Sequence, residues 1–120
     1  MSTLWRIRDR STFVELRRRG RRLRSGYLTL TWVARPSGEP PQVAYAIGRG
    51  VGSAVVRNRV RRRLRWALGQ LDGKLPPGAY LLGVSPAAAT ATAHGLLRDL
   101  QSVVAALPEP VEAALPEGRR

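Results

Sequence analysis

The chain is predicted to fold as an α/β sandwich of order αββαβα, one small mixed sheet packed with helices. Three observations point there. Residues 27–34 alternate in polarity, two further apolar runs at 43–47 and 79–84 have the length of buried strands, and three other stretches repeat their apolar residues at helical spacing. A chain of 120 residues with 43% hydrophobic composition supports one modest core. The expected organisation is a single domain over 1–107 followed by a flexible Pro- and Glu-containing tail, 108–120.

The elements follow in order. A first helix is expected at 12–19, capped by Asp9 or Ser11 and stopped by Gly20, with Phe13 and Leu16 on its apolar stripe. Arg17, Arg18 and Arg19 close it, where cations suit the helix dipole. Residues 21–25, RRLRS, read as a basic connector. In the strand 27–34, Leu28, Leu30 and Trp32 fall on one side, with Tyr27, Thr29, Thr31 and Val33 on the other. RPSGEPP (35–41) is a turn by composition. The second strand, 43–47, leads into a glycine-spaced loop of Gly48, Arg49, Gly50, Val51 and Gly52.

Ser53 then caps the strongest helix, 54–71, whose stripe is Val56, Val60, Leu64, Ala67, Leu68 and Leu71. Asp72 and Gly73 end it. Residues 74–78 turn into the strand 79–84, and a last helix is expected at 92–107 on Leu96, Leu97, Leu100, Val103, Val104 and Leu107. Strands 43–47 and 79–84, joined through a helix, are expected to be parallel neighbours. The pattern by itself predicts the usual right-handed crossover between them.

Charge narrows the function. Twenty-one basic residues against eight acidic ones leave +13, with a pI near 11.8. The excess is uneven: residues 1–66 hold 17 Arg against Asp9, Glu15 and Glu39, whereas 67–120 are nearly balanced. Such a field calls for a polyanion, with nucleic acid ahead of an anionic membrane surface. All but one of the cations are Arg, which suits phosphate forks and base stacking, although a GC-rich genome produces the same bias. The absence of Cys excludes disulfides, thiol catalysis and Cys-containing zinc sites. Met1 to Arg10 is too polar for a secretory signal, and no apolar run approaches the roughly 18–20 residues of a membrane span, so a soluble cytoplasmic protein is expected.

The informative stretch is AVVRNRVRRRLRW, 54–66, with no acid from 54 to 71. At 100° per residue Arg57, Arg61 and Arg65 form one row, Asn58 and Arg62 lie beside it, and Arg59 and Arg63 continue round the helix. An ordinary solvated face intersperses Glu. Here the like-charge pairs Arg57/Arg61, Arg59/Arg63 and Arg61/Arg65 each cost about 0.2–0.5 kcal/mol without relief. The glycine loop and the helix start add close backbone approach and free N–H donors, flanked by Arg49 and Arg57. A glycine-spaced loop alone is also what an ordinary strand-to-helix turn looks like.

Val51-Gly52-Ser53-Ala54-Val55-Val56-Arg57-Asn58-Arg59, continued by the basic run to Arg65, resembles the signature of the bacterial ribonuclease P protein family, a VG-x-AVxRN-R/K block followed by a basic helix. Phe13 seven residues before Gly20, the Gly20-Arg21-Arg22 exit, Pro86 and the Leu-rich last helix extend the likeness over roughly 4–107. The resemblance implies an RNA-binding subunit without an active site of its own. Its RNA partner hydrolyses the phosphodiester with Mg2+, and the protein contacts that RNA and the 5′ leader of precursor tRNA. It further implies a monomer in a 1:1 complex with the RNA, with no cofactor on the protein itself and no obligate protein partner. It also implies a left-handed β-α-β crossover, as in one ribosomal-protein fold, against the pattern's own expectation.

By position, Arg49, Gly52, Arg57, Asn58, Arg59, Arg61, Arg62 and Arg65 take the RNA-facing role. Phe13, Arg17, Thr29 and Thr31 take the leader cleft, although Phe13 also fits a plain core position of the first helix. Three departures matter. Arg17 stands where the family usually has a second aromatic, Gly48-Arg49-Gly50 replaces a Ser-Lys-Lys, and Ser85 replaces a basic residue before Pro86. The implied cleft relies more on charge and less on stacking.

Other classes fit less well. An autonomous metal-dependent nuclease needs clustered carboxylates or histidines, and this chain has His94 as its one His and eight scattered acids. A ribosomal protein or general RNA chaperone explains charge and size but not the RN block. A DNA-binding basic helix would dimerise along a stripe that the core consumes here.

Overall fold

The computed structural model describes residues 4–36 and 38–107. Its elements are β1 (Trp5–Arg6), α1 (Arg10–Arg19), β2 (Arg21–Ser25), β3 (Leu28–Ala34), β4 (Gln42–Ala46), α2 (Ala54–Gln70), β5 (Gly78–Val84) and α3 (Ala93–Ala105). Short 3-10 turns at Arg49–Val51 and Pro86–Thr90 precede α2 and α3. The strands form one mixed sheet in the order β1-β4-β5-β3-β2. β4 and β5 are parallel neighbours joined through α2, as expected, and β3 runs antiparallel to both β5 and β2.

The period-2 pattern sorts side chains onto two faces. Leu28, Leu30, Val43, Tyr80 and Leu82 are buried against α2 and α3 together with Val60, Leu64, Leu68, Leu96 and Leu100. Each fully buried leucine contributes roughly 1.5–3 kcal/mol relative to exposure. The other face carries a smaller cluster of Ile7, Leu16, Val33 and Ala79 beneath α1. β5 lies at the centre of the sheet, which is why 79–84 reads as a continuous apolar run rather than an alternation.

Caps set the helix starts. Asp9 accepts the Thr12 N–H at 3.0 Å, Ser53 accepts that of Val56 at 3.4 Å, and Thr92 that of Gly95 at 2.9 Å. A long-range fastening joins α3 to the β2–β3 turn, where an Asp99 carboxylate oxygen accepts the Tyr27 N–H at 2.9 Å.

Two strands depart from the expected order. RRLRS is not a connector but β2, an edge strand paired along its length with β3. Its single apolar residue, Leu23, packs on the core while Arg22 and Arg24 alternate with it, so the charges masked a strand of period 2. Charged side chains are also what keeps an edge strand from pairing with other chains. β1, two residues long, pairs parallel with β4, and Tyr27 belongs to the turn before β3 rather than to the strand. The expected tail, 108–120, lies outside the described residues. No helix among the described residues is long and apolar enough to cross a membrane.

Candidate nucleic-acid interface

α2 presents the arginines. Val60, Leu64, Ala67 and Leu68 fix its buried stripe, which leaves the cations on the remaining arc. They divide by what they touch. Arg62, Arg65 and Asn58 are exposed; Arg61 is half-buried and donates from Nη1 to the Asn58 Oδ1 at 2.8 Å. Arg57 Nε donates to the Gly52 carbonyl at 3.2 Å, tying the helix start to the glycine loop. Arg63 Nη1 donates to the Ala91 carbonyl at 2.6 Å and is thereby held between α2 and the turn before α3. Arg59 lies one turn before it, with a shielded Nε that has no hydrogen-bond partner among the described residues. A buried donor left unpaired costs about 1–3 kcal/mol.

Gly52 serves a structural need. Its φ of 149° is a backbone conformation that side chains rarely adopt, and an added Cβ would lie 3.0 Å from Val56. With Arg49 exposed on the preceding 3-10 turn, the loop and the first turn of α2 face outward together.

Three of the acids are engaged away from α2. Asp9 accepts from the Ser11 and Thr12 hydroxyls, each at 2.6 Å, and from the Thr12 N–H. These bonds, Ser11 first, hold its carboxyl down at about 2. Glu15 pairs with Arg35 at 2.7 Å, a hydrogen bond that lowers the carboxyl and raises the guanidinium from their ordinary values. Asp99 caps Tyr27. Among the described residues no α2 arginine is ion-paired, so the face keeps its full charge.

A second surface lies on the α1 side of the sheet. Side by side across the strands run Ala44, Leu81, Thr31 and Arg22, and one step further Ala46, Gly83, Thr29 and Arg24. α1 covers the first of these rows in part, through Phe13. The second row of small residues lies beyond that cluster. A cleft of about 250 Å3 forms at the junction, lined by Phe13, Arg17, Thr31, Arg22 and Leu81.

The structure therefore brings Phe13, Arg17 and Thr31 together and puts Thr29 on the same sheet face, one row along. Phe13 is half-buried, with its ring at once part of the small core and a wall of the cleft. Arg22 and Arg24 escaped sequence reasoning because 21–25 read as a connector. The alternation Arg22-Leu23-Arg24 was the signal available.

His94 is exposed, its ring meeting that of Trp66 edge-on at 5.2 Å. Among the described residues no three His, Cys, Asp or Glu side chains gather into a metal-holding group.

Comparison with known proteins converges on one family. The model of the family described as Ribonuclease P matches residues 1–107. A ribonuclease P protein component from a Nocardioides strain is 42% identical over 106 residues, covering 84% of this chain and 89% of the relative. That of Beutenbergia cavernae is 37% identical over 103 residues, covering 85% and 87%. Among solved structures, the RNase P protein of Thermotoga maritima superposes with a TM-score of 0.75 at 16% identity, covering 87% of this chain and 98% of that one. The Staphylococcus aureus RNase P protein gives 0.76 at 15% identity, covering 85% and 94%. At such identities the structures speak for the fold alone.

Proposed function

The chain belongs to the ribonuclease P protein family, and from that premise we propose that it binds the catalytic RNA of ribonuclease P through α2 and the 5′ leader of precursor tRNA through the cleft beside Phe13. It thereby assists endonucleolytic removal of the leader to give the mature tRNA 5′ end. The observation that supports this reading best is α2 itself, where arginines crowd 57–65 without a carboxylate partner among the described residues. A face so charged is stable only with counterions or a polyanion upon it, and releasing those counterions to RNA is favourable.

Each surface has a role. Arg62 and Arg65, exposed and without a carboxylate partner among the described residues, take phosphates; Asn58 offers both a donor and an acceptor to a base or ribose edge. Arg49 and the Gly52 turn admit a backbone close to the start of α2. The leader lies as a single strand over Thr29 and Thr31, with Arg17 and Arg22 on its phosphates and Phe13 under one base, a contact worth about 1–3 kcal/mol. Arg17, in place of an aromatic, shifts this cleft toward charge.

The chemistry belongs to the RNA and its Mg2+. The described residues of this chain gather no group of three His, Cys, Asp or Glu side chains that could hold a metal. The protein contributes binding and positioning, as a monomer, one per RNA, in the cytoplasm.

The test is cleavage of a precursor tRNA by a bacterial ribonuclease P RNA at a magnesium concentration too low for the RNA alone. Adding the protein should restore cleavage at the mature 5′ end. Tight RNA binding without rescue, across several such RNAs, would overturn the reading in favour of a ribosomal or chaperone role.

A further inference from the structure

A third surface adjoins the α2 face and shares Arg61 and Arg65 with it. Between β1, β4 and α2 lies an open cleft of about 530 Å3. Arg6, Arg61 and Arg65 supply its cations, and Trp5 and Tyr45 its aromatic walls. Among the described residues no carboxylate lines it. It opens on the α2 side and the β1 edge of the sheet, away from the Phe13 cleft on the α1 side.

We propose that this cleft holds one unpaired nucleotide of the catalytic RNA, its base against Trp5 and Tyr45 and its phosphate on Arg6, Arg61 and Arg65. The assignment rests on the proposed role of α2, because Arg61 and Arg65 belong to that helix. It extends it from a charged face to a shaped subsite. Four features carry it.

The first is size and composition. Ligand pockets span about 300–1,000 Å3, and an aromatic wall beside guanidinium groups is the combination that stacks a base while neutralising its phosphate. The second is Trp5, which stands 54% exposed on a two-residue edge strand. A large indole left in water at such a position contributes little to the core, yet offers a stacking plane.

The third is Tyr45. It is half-buried on the α2 side with Arg65 and Arg61 facing its phenol, and burial raises that phenol's pKa despite both cations. The phenol thus stays uncharged at neutral pH, with Arg65 within hydrogen-bonding reach of it.

The fourth is Gly69, an exposed residue of α2 that lines the cleft. Glycine in a helix costs about 1 kcal/mol relative to alanine. Packing does not demand it here, since an added Cβ would meet nothing within 4 Å. Its effect is to keep a side chain out of the cleft at that point. β1 ends at Arg6, so among the described residues no strand lies alongside the β4 edge past Val43.

Affinity for the catalytic RNA, measured by filter binding with the full chain, tests the proposal. Trp5→Leu should weaken binding by about 5- to 150-fold, the range for one lost base stack, without altering the salt dependence. Trp5→Phe should restore most of it. Gly69→Gln, which favours the helix, should keep or raise the melting temperature while weakening binding as its side chain occupies the cleft. Neither Trp5→Leu nor Gly69→Gln should change the preference for precursor over mature tRNA.

Wild-type affinity in both Trp5→Leu and Gly69→Gln overturns the subsite. Equal losses in Trp5→Leu and Trp5→Phe, accompanied by a lower melting temperature, also overturn it, since that is the mark of a structural tryptophan. These outcomes remain distinct from failure of the wider reading, in which the wild-type protein itself neither binds the catalytic RNA nor rescues cleavage.

Discussion

Arg62 and Arg63 are neighbours of identical chemistry whose substitution should have opposite consequences. Arg63 Nη1 donates to the Ala91 carbonyl at 2.6 Å across 28 residues of chain, and the side chain is half-buried. A hydrogen bond from a charged donor is worth about 1.5–3 kcal/mol. Partial exposure lets water replace some of it, and removing Arg63 relieves its repulsion with Arg59, worth about 0.2–0.5 kcal/mol. The expected net cost of Arg63→Ala is about 1 kcal/mol, or roughly 4–8 °C in melting temperature for a domain of this size.

Arg62 is exposed, so Arg62→Ala should leave stability within about 0.5 kcal/mol. It should, however, remove a phosphate contact and lower the slope of log K against log salt by roughly 0.7–0.9. Thermal melts followed by circular dichroism, and RNA binding across a salt series, separate the two effects. A slope lowered equally by both substitutions, with no loss of stability in Arg63→Ala, would refute the division of α2 into a pinned and a free arginine. Slopes unchanged in both would refute an RNA-facing α2.

Three other outcomes are expected. Phe13→Leu should preserve the fold and weaken precursor tRNA binding more than mature tRNA binding, by up to the roughly 1–3 kcal/mol of a base stack; equal losses on both RNAs would confine Phe13 to the core. Gly52→Ala forces a side chain into a φ of 149° and to within 3.0 Å of Val56, and should cost about 1–3 kcal/mol in a denaturation curve; unchanged stability would mean the loop relaxes freely. Asp9 is held at about 2 in the fold against 3.8 ordinarily, so its contribution is complete above 3.8 and lost as pH falls toward 2. Asp9→Asn keeps a capping side chain, so its melting temperature should fall less steeply than the wild type's across that window, and superimposable profiles would remove the carboxylate from the acid response.

The helices and central strands were legible because burial writes its period directly into the sequence. Val60, Leu64, Ala67 and Leu68 mark α2, and Leu28, Leu30 and Trp32 mark β3, since any other residues there would leave the core unfilled. β2 was illegible for the converse reason. An edge strand buries one side chain in five residues, Leu23 only in part, and its Arg22 and Arg24 serve the surface rather than the core. β1 is shorter still. Two residues hold their place through the Trp5 N–H to the Pro41 carbonyl at 2.8 Å, and the following Ile7 N–H to the Val43 carbonyl at 3.1 Å. Backbone bonds of this kind leave no trace in side-chain pattern.

The candidate site shows the same division one level up. Charge density on α2 is visible in the sequence, but the partner of each cation is not, because partners come from distant segments. Arg63 is claimed by Ala91, while no described residue claims Arg62 beside it. Helical spacing groups Arg57, Arg61 and Arg65 as equals, yet Arg57 is tied to Gly52, Arg61 to Asn58, and Arg65 faces Tyr45 from the neighbouring strand. The same applies to the sheet. Thr29 is an ordinary strand residue until register sets it beside Gly83 and Arg24, and only then does a row of small side chains with a cation at its edge exist. That row ends at Ala46, the last residue of β4, from which the chain continues directly to the Arg49 turn and the start of α2. On the proposed reading, a single strand lying along the row would leave it at the N-terminal end of α2. The topology of β4 would then set the distance between the two RNAs, while the number of arginines would set only how tightly each is held.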